Sequence, residues 1–398
     1  MSGRDDERPD AASRRDHVLT QVANGTFSIA QAMAAVVVPL LAVDAGHGIG
    51  TVGVLVAVSA VSQTAARFGI GQLMTRFPTR SFIVLATILL AASCVLLAMS
   101  AELWVFVVSQ LLQGAARAYF WTGSQTHVVR GSDSAVVAMS RLNVVQGVGQ
   151  LIGPVLAGIL GALSLQIALI VAGALSAAAL LPSCLLLRFP PFARSSRTRT
   201  GRDHFLWRRT GVATAASMSA AGGAWRGIVN SYLPVVLAAA GYGVFAVGAL
   251  ITVTNLAALG GSLASRCVRT IGGATSALAI AAAGLGLAGV GFFPALAVVV
   301  VIALAVSGFG AGILQTIGPA LAAVSVSAEE RGAAIATIGT FRSLALLVSP
   351  LATAGLVLLL PSAALASGVA GIIMAMPTLA AARRWGRRSG SESEDDHG

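Results

Sequence analysis

The sequence predicts an all-α integral membrane protein of about 12 transmembrane helices, arranged as two halves of six. Three observations carry this expectation. Of 398 residues, 56% are hydrophobic and 10% charged, with mean hydropathy +0.84, so there are too few charges to clothe a water-facing surface. At roughly 20 apolar residues per bilayer crossing plus short loops, the length accommodates about 12 spans. The 26 basic residues are all arginine, and most fall in alternate breaks between apolar runs. These features exclude a soluble enzyme, a DNA-binding module or a secreted scaffold. The formal charge of +11 marks topology, not a nucleic-acid groove.

Apolar runs bounded by charge, Gly or Pro place spans at 18–43, 48–74, 81–99, 103–126, 136–162 and 164–187. A second set falls at 210–238, 243–265, 271–291, 295–326, 332–360 and 362–382. Arginines occupy the breaks at Arg76 and Arg80, at Arg130, from Arg188 to Arg209, at Arg266 and Arg269, at Arg331, and from Arg383 to Arg388. The alternate breaks have none; one holds Asp44 and His47, another Glu102. By the positive-inside rule both termini are expected in the cytoplasm of a bacterial inner membrane. Reporter tags at both ends and near Arg197 should then read as cytoplasmic, and tags near Gly46 and Glu102 as external. An odd number of crossings between the two ends would end the twelve-span reading.

The expected organisation is a cytoplasmic tail over 1–17, a six-helix bundle over 18–188, a basic linker over 189–209, a second bundle over 210–382 and a disordered tail over 383–398. The linker is read as a solvated strap held to anionic membrane lipid by its arginines. Cys94, Cys184 and Cys267 are far apart with no CxxC spacing, so neither a disulfide framework nor a metal site is expected, and no cofactor is implied.

The halves carry traces of one repeated unit. Gly71-Gln-Leu-Met-Thr-Arg76 follows the second span and Gly261-Ser-Leu-Ala-Ser-Arg266 follows the eighth. Gly153-Pro154 in the fifth span is matched by Ser349-Pro350 in the eleventh. At these residues the chain resembles the major facilitator superfamily, whose members pack two six-helix pseudo-repeats around a central cavity. That family's second-to-third loop shows G-x-L-x-D-R-x-G-R-[RK], often with a preceding arginine. Arg67, Gly71, Leu73, Arg76 and Arg80 match it, while Thr75 and Pro78 replace the aspartate and a glycine. The fourth-span pattern R-x-x-Q-G is kept only as Gln113-Gly114. Gly149, Gly153, Pro154, Ala157 and Gly158 are similar to G-x-x-x-G-P-x-x-G-G, which is typical of exporting branches. The resemblance implies alternating access, with Arg67, Gly71, Arg76, Arg80, Gly149, Gly153, Pro154 and Gly158 as gating or conformational positions. The physical reading of the glycines is simpler: small residues let helices approach, and Pro154 bends the span.

Polar groups inside spans should face a cavity or a partner helix. In the fourth span Gln110, Gln113, Arg117, Trp121 and Ser124 share one helical face. Arg117 stands about 22 Å along the axis from Glu102, near the bilayer midplane. In the seventh span Gly222, Arg226 and Asn230 share a face beside Trp225, again near mid-depth. Asn24 with Gln31 forms a weaker stripe in the first span, as do Ser59, Gln63 and Arg67 in the second, while Arg342 stands alone in the eleventh. The resemblance puts spans one, four, seven and ten at the cavity. Arg117, Arg226, Gln113, Trp121, Asn24, Gln31 and Asn230 are therefore the candidate substrate-binding residues.

All 15 acids fall in tails, loops or span ends, so the mid-depth arginines have no carboxylate partner and cannot escape by losing a proton. A substrate carboxylate, phosphate or carbonyl-rich group would satisfy them; Gln, Asn and backbone carbonyls are the structural alternative. The expected function is a non-enzymatic secondary transporter, an exporter of a small drug-like molecule or metabolite, with an organic-anion importer or exchanger as the alternative. An intramembrane transferase lacks a nucleophile, base or metal set at membrane depth, and no phosphate-binding GxxxxGK[ST] loop exists for an ATP-driven pump. A coupling proton, as in proton antiporters of the superfamily, would have to ride on the substrate or on Asp44, Glu102 or His127, which are read as solvated boundary residues.

Overall fold

In the computed structural model the chain is described over residues 7–130, 135–191, 207–265, 273–326 and 331–378. The described residues are helical, without a strand: α1 (Glu7–Asp44), α2 (Ile49–Leu73), α3 (Thr79–Met99), α4 (Leu103–Arg130), α5 (Ala135–Leu163), α6 (Leu165–Ala178), α7 (Leu180–Cys184), α8 (Thr210–Ala239), α9 (Val244–Ala264), α10 (Gly273–Phe292), α11 (Ala297–Val324), α12 (Arg331–Leu359) and α13 (Ala363–Thr378). Central linker residues 192–206, with Arg197, and the tail beyond 378 lie outside the described residues, as do Arg266 and Cys267.

The elements depart from the expected spans at two informative places. Residues 7–17 are not a separate tail; they extend the first helix, and Asp16 within them is buried. The sixth span is broken at Ala179 into α6 and α7. Pro182 has no N–H to donate to the carbonyl of Ala178, so the helical ladder is interrupted one turn before it. Pro154 and Pro350, the matched prolines of the two halves, both lie inside their helices, α5 and α12.

Among the described residues, nine helical segments are long and apolar enough to cross a bilayer on composition alone. The two long helices outside that set are α4 and α8, the pair that carries the polar stripes. Large apolar side chains such as Leu278, Val298 and Leu358 are more than two-thirds exposed, at 71%, 72% and 84%. A water-soluble protein does not present so many bare aliphatics; here they face lipid.

The chain divides into two compact units. Unit 1 is Met1–Gly48, Leu55–Arg197 and Gly243–Thr252; unit 2 is Ile49–Val54, Thr198–Tyr242 and Val253–Gly398. Within unit 1, α1 packs on α5 and α6, and α3 on α4 and α6. Within unit 2, α8 packs on α12 and α11, and α10 on α11. Advancing each helix of unit 1 by seven places turns α1 against α5 into α8 against α12, and α3 against α4 into α10 against α11. The two units are thus built to one packing plan.

Close approach at glycine holds each plan together, from opposite partners. In unit 1 the glycines are on α5: a methyl at Gly149 would meet Ser28 Cβ at 2.5 Å, and one at Gly153 would meet Ala32 Cβ at 2.5 Å and the Ile29 carbonyl at 2.8 Å. In unit 2 they are on α8, where Gly223 lies against the Arg342 carbonyl and Gly227 against Ser349 and Pro350 of α12. The start of α9, which belongs to unit 1, packs on α5 where Gly158 faces Phe245 and Gly248 faces Pro154.

Candidate functional site

In unit 1, α1 and α4 meet through aromatic rings. Phe27 stacks on Phe120 with centroids 3.7 Å apart, and Trp121 stands edge-on to Phe27 at 6.1 Å. The two helices run in opposite directions, so one turn onward from Phe27 and one turn back from Trp121 reach the same depth. The residues there are Gln31 and Arg117, with Gln113 a further turn along α4. The one protein hydrogen bond of Arg117 is a long one, from a guanidinium nitrogen to Gln113 Oε1 at 3.4 Å. Arg117 Nε, Gln113 Nε2 and Gln31 Oε1 are buried and make no hydrogen bond within the protein. Buried polar groups are rarely left so. This level of unit 1 therefore holds two donors and an acceptor in want of partners, beside the partly exposed face of Trp121.

Asn24 does not share that environment. It is fully buried, and its amide donates to the Leu142 carbonyl of α5 at 2.7 Å, tying two helices together. Asn24 and Gln31 share a helical face, but α5 crosses α1 at the level of Asn24. That bond gives Asn24 a bracing role between α1 and α5. Asn24→Ala should lower thermal stability by about 1 kcal/mol, the scale of one hydrogen bond between membrane helices, and leave the transport rate per folded molecule unchanged. A transport loss without a stability loss would reverse the assignment.

The α2 backbone at Ser59 and Gln63 packs on α4: Gly114 lies against the Ser59 carbonyl, with the Gln63 backbone nitrogen 3.0 Å from where a methyl would stand. Ser62 reinforces the contact by donating to the Leu111 carbonyl at 2.6 Å. Gly114 of the Gln113-Gly114 pair is thus the point where two backbones touch. Arg67 and Arg76 are exposed, and the surroundings of Gly71 lie outside the described side chains. Arg80 is half-buried and donates to the Leu186 carbonyl at 3.2 Å.

In unit 2, Arg226 donates to Asn255 Oδ1 of α9 at 3.4 Å, and its guanidinium stands 5.0 Å from the Trp225 ring centre. Arg342 of α12 lies near enough for its charge to act on Arg226. That follows from Gly223, one turn before Arg226, resting on the Arg342 backbone. Asn230 is half-buried on the same face. Trp225 itself is fully buried and donates from Nε1 to Ser307 Oγ at 2.8 Å, which makes it a strut of unit 2 and not a platform for ligand.

Sequence reasoning missed two residues and misplaced a third. Asn255 is a lone amide in an apolar span and could have been flagged on that ground. Gln315 of α11, whose Cγ lies 3.8 Å from where a Gly222 methyl would stand, carries the same signal. His127 was expected in solvent; it is fully buried and its Nε2 lies 3.0 Å from Asp16 Oδ2. No His/Cys/Asp/Glu cluster among the described residues could hold a metal ion.

The fold and these stripes can be set beside known proteins. No curated protein matches the sequence. A mutant form of the nucleoside transporter NupG superposes with TM-score 0.78 at 13% identity, covering 92% of this chain and 99% of that one. A bacterial homologue of the human lysosomal transporter Spinster, inward-facing and unoccupied, gives 0.71 at 12% identity over 93% and 94% of the two chains. A POT family transporter in complex with a thioalcohol-conjugated peptide gives 0.71 at 12% over 92% and 95%. At such identities the likeness is one of fold. The sequence model of the Major Facilitator Superfamily matches residues 22–350, and with its helices in two like-packed units the chain belongs to that superfamily of secondary transporters.

Proposed function

We propose that the protein exports a small organic molecule bearing a carboxylate, phosphate or carbonyl-rich group, by alternating access of its two units. The observation that carries this reading is the orphaned set Arg117 Nε, Gln113 Nε2 and Gln31 Oε1 at one level of unit 1. A guanidinium keeps its charge at any physiological pH, and its planar fork matches an oxyanion or a pair of carbonyls. With no acid in the middle of any span, an oxyanion or carbonyl of the substrate would supply the acceptors that the orphaned donors lack. Within unit 2, Arg226 with Asn255 and the neighbouring charge of Arg342 offers chemistry of the same kind, and Asn230 lies one turn beyond. Trp121 presents an aromatic face beside Arg117 suited to a flat substrate. The outward direction is supported by the Gly149 to Gly158 pattern alone.

The specific observation that favours a second reading, an importer or exchanger of organic anions, is the pairing of Arg226 with Arg342, since two nearby cations suit an anion whichever way it moves. NupG, of similar fold, is a nucleoside transporter, and the ring nitrogens, carbonyls and ribose hydroxyls of nucleosides are acceptors of the kind the orphaned donors lack. Purified protein screened for thermal stabilisation by anionic, carbonyl-rich and cationic solutes tests the binding chemistry, because a ligand of the folded state raises the melting temperature. Anionic or carbonyl-rich compounds should stabilise, and stabilisation by cations alone would defeat the reading. Uptake into inside-out against right-side-out vesicles then decides direction.

A further inference from the structure

The orphaned groups of unit 1 do not all call for the same partner. Gln113 Oε1 is taken by the Arg117 guanidinium at 3.4 Å, so the buried Gln113 Nε2 can only donate, as can Arg117 Nε. Gln31 Oε1 is the opposite case, a buried acceptor that receives no hydrogen from the protein. Its orientation has a physical cause: with a guanidinium at the same level, the amide dipole is favoured with its carbonyl end turned inward. Gln31 and Arg117 make no hydrogen bond to each other, and Phe27 with Trp121 closes their level on the side one turn away.

The shared packing plan of the two units marks the same position independently. The equivalent helices α1 and α8 each hold one internal proline, Pro39 and Pro234. Registering them on those prolines sets Ala32 equivalent to Gly227, and registering α5 and α12 on Pro154 and Pro350 sets Gly153 equivalent to Ser349. The contact of Gly153 with Ala32 in unit 1 then corresponds to that of Ser349 with Gly227 in unit 2, so one register serves both helix pairs. In it Gln31 is the equivalent of Arg226, and both are half-buried. Unit 1 thus has an amide where unit 2 has a cation.

What the amide adds is an acceptor, which arginine lacks. A bare carboxylate or phosphate satisfies Arg117 and Gln113 but has no hydrogen to give to Gln31, and it would leave the buried carbonyl unpaired or set lone pair against lone pair. A hydroxyl or N–H on the same molecule removes that cost. A site that demands a donor discriminates against analogues without one far more sharply than a site that merely fits an apolar shape.

We propose that Gln31 determines the substrate class of the unit 1 site: its carbonyl accepts from a hydroxyl or N–H of the substrate, so the site selects oxyanions that also carry a hydrogen-bond donor. A hydroxy- or amino-substituted carboxylate on a flat ring is the chemistry that answers every orphaned group at once, with the oxyanion on Arg117 and Gln113, the donor on Gln31 and the ring beside Trp121. The inference rests on the anion-binding reading of Arg117 and adds to it the donor that the substrate must bring.

Thermal stabilisation of the purified full chain, titrated with benzoate, with meta- and para-hydroxybenzoate and with the matching methoxybenzoates, tests this, because these compounds share a ring and a carboxylate and differ in the donor. The better-placed hydroxybenzoate should bind about tenfold tighter than benzoate and than its own methoxy counterpart, the upper range for one added hydrogen bond. Gln31→Leu keeps a side chain of similar bulk without the acceptor, so hydroxy and methoxy compounds should bind it alike; a hydroxy preference that survives in Gln31→Leu overturns the proposal. Equal binding of all the compounds to wild type also overturns it. If that equal binding is lost in Arg117→Ala, the anion-binding reading stands without Gln31; if it is not lost, or if none of the compounds binds, both fall. Should Gln31→Leu not fold, the wild-type comparison of hydroxy with methoxy compounds decides alone.

Discussion

Arg117→Ala should lower transport by about a hundredfold or more while the protein inserts, folds and melts as wild type. The activity estimate is the loss of one or two charge-assisted hydrogen bonds to substrate, at about 1.5–3 kcal/mol each. The stability estimate comes from what Arg117 holds within the protein, a single 3.4 Å contact to Gln113 and nothing at Nε. A residue so weakly tied is not carrying the bundle. Removing it frees Gln113 Oε1 but relieves the buried guanidinium, and the two nearly offset. Arg117→Lys should rescue poorly, because a point charge cannot reproduce a fork that grips two oxygens. Flux of a stabilising ligand into proteoliposomes, measured with the melting temperature of the same preparations, separates the cases. A misfolded Arg117→Ala would make the residue a strut, and normal flux would make it a bystander; either removes unit 1 from the anion-binding reading. Arg226→Ala is the companion test with a smaller expected separation, because Arg226 also holds Asn255 and bears on Trp225.

How much of this was legible without coordinates depended on whether the signal lay within one helix or between two. The stripe Gln113, Arg117, Trp121 was legible because periodicity along α4 is a property of α4. The distinction between Gln31 and Asn24 was not, since both lie on one face of α1 and only the crossing of α5 at Leu142 separates a brace from a free amide. The strut role of Trp225 was hidden for the same reason, since its neighbour Ser307 is 82 residues away. The burial of His127, and its partner Asp16, were the largest omission. Each stands at a span end, where charged residues ordinarily meet water, and nothing in either local sequence announces a partner 111 residues distant. The broken sixth span was legible in principle from Pro182. The matching of the two halves was visible in Pro154 and Pro350, but the exchange of the close-packing glycines from α5 in one unit to α8 in the other needed the packing itself.

Those glycines give the largest expected effect on folding. Gly153→Leu should abolish accumulation of folded protein, and Gly153→Ala should lower stability by about 1–3 kcal/mol, the range for overpacking a well-filled interior. The first methyl already falls 2.5 Å from Ala32 Cβ, 2.8 Å from the Ile29 carbonyl and 3.1 Å from the Met33 nitrogen. Two of these three are backbone atoms of α1, so relief requires the helices to separate rather than a side chain to swing aside. Separation would in turn stretch the Asn24 bond to Leu142, which depends on the same α1–α5 spacing. Gly147, six residues earlier on α5 with nothing within 4 Å of its added methyl, supplies the control: Gly147→Ala should be neutral or slightly stabilising, because alanine is the better helix former. Thermal unfolding of the three variants, with flux normalised to folded protein, distinguishes a packing glycine from a substrate contact. If Gly153→Ala melts like Gly147→Ala yet loses flux, the pattern from Gly149 to Gly158 acts on transport directly, and the close approach of α1 and α5 is not what it protects.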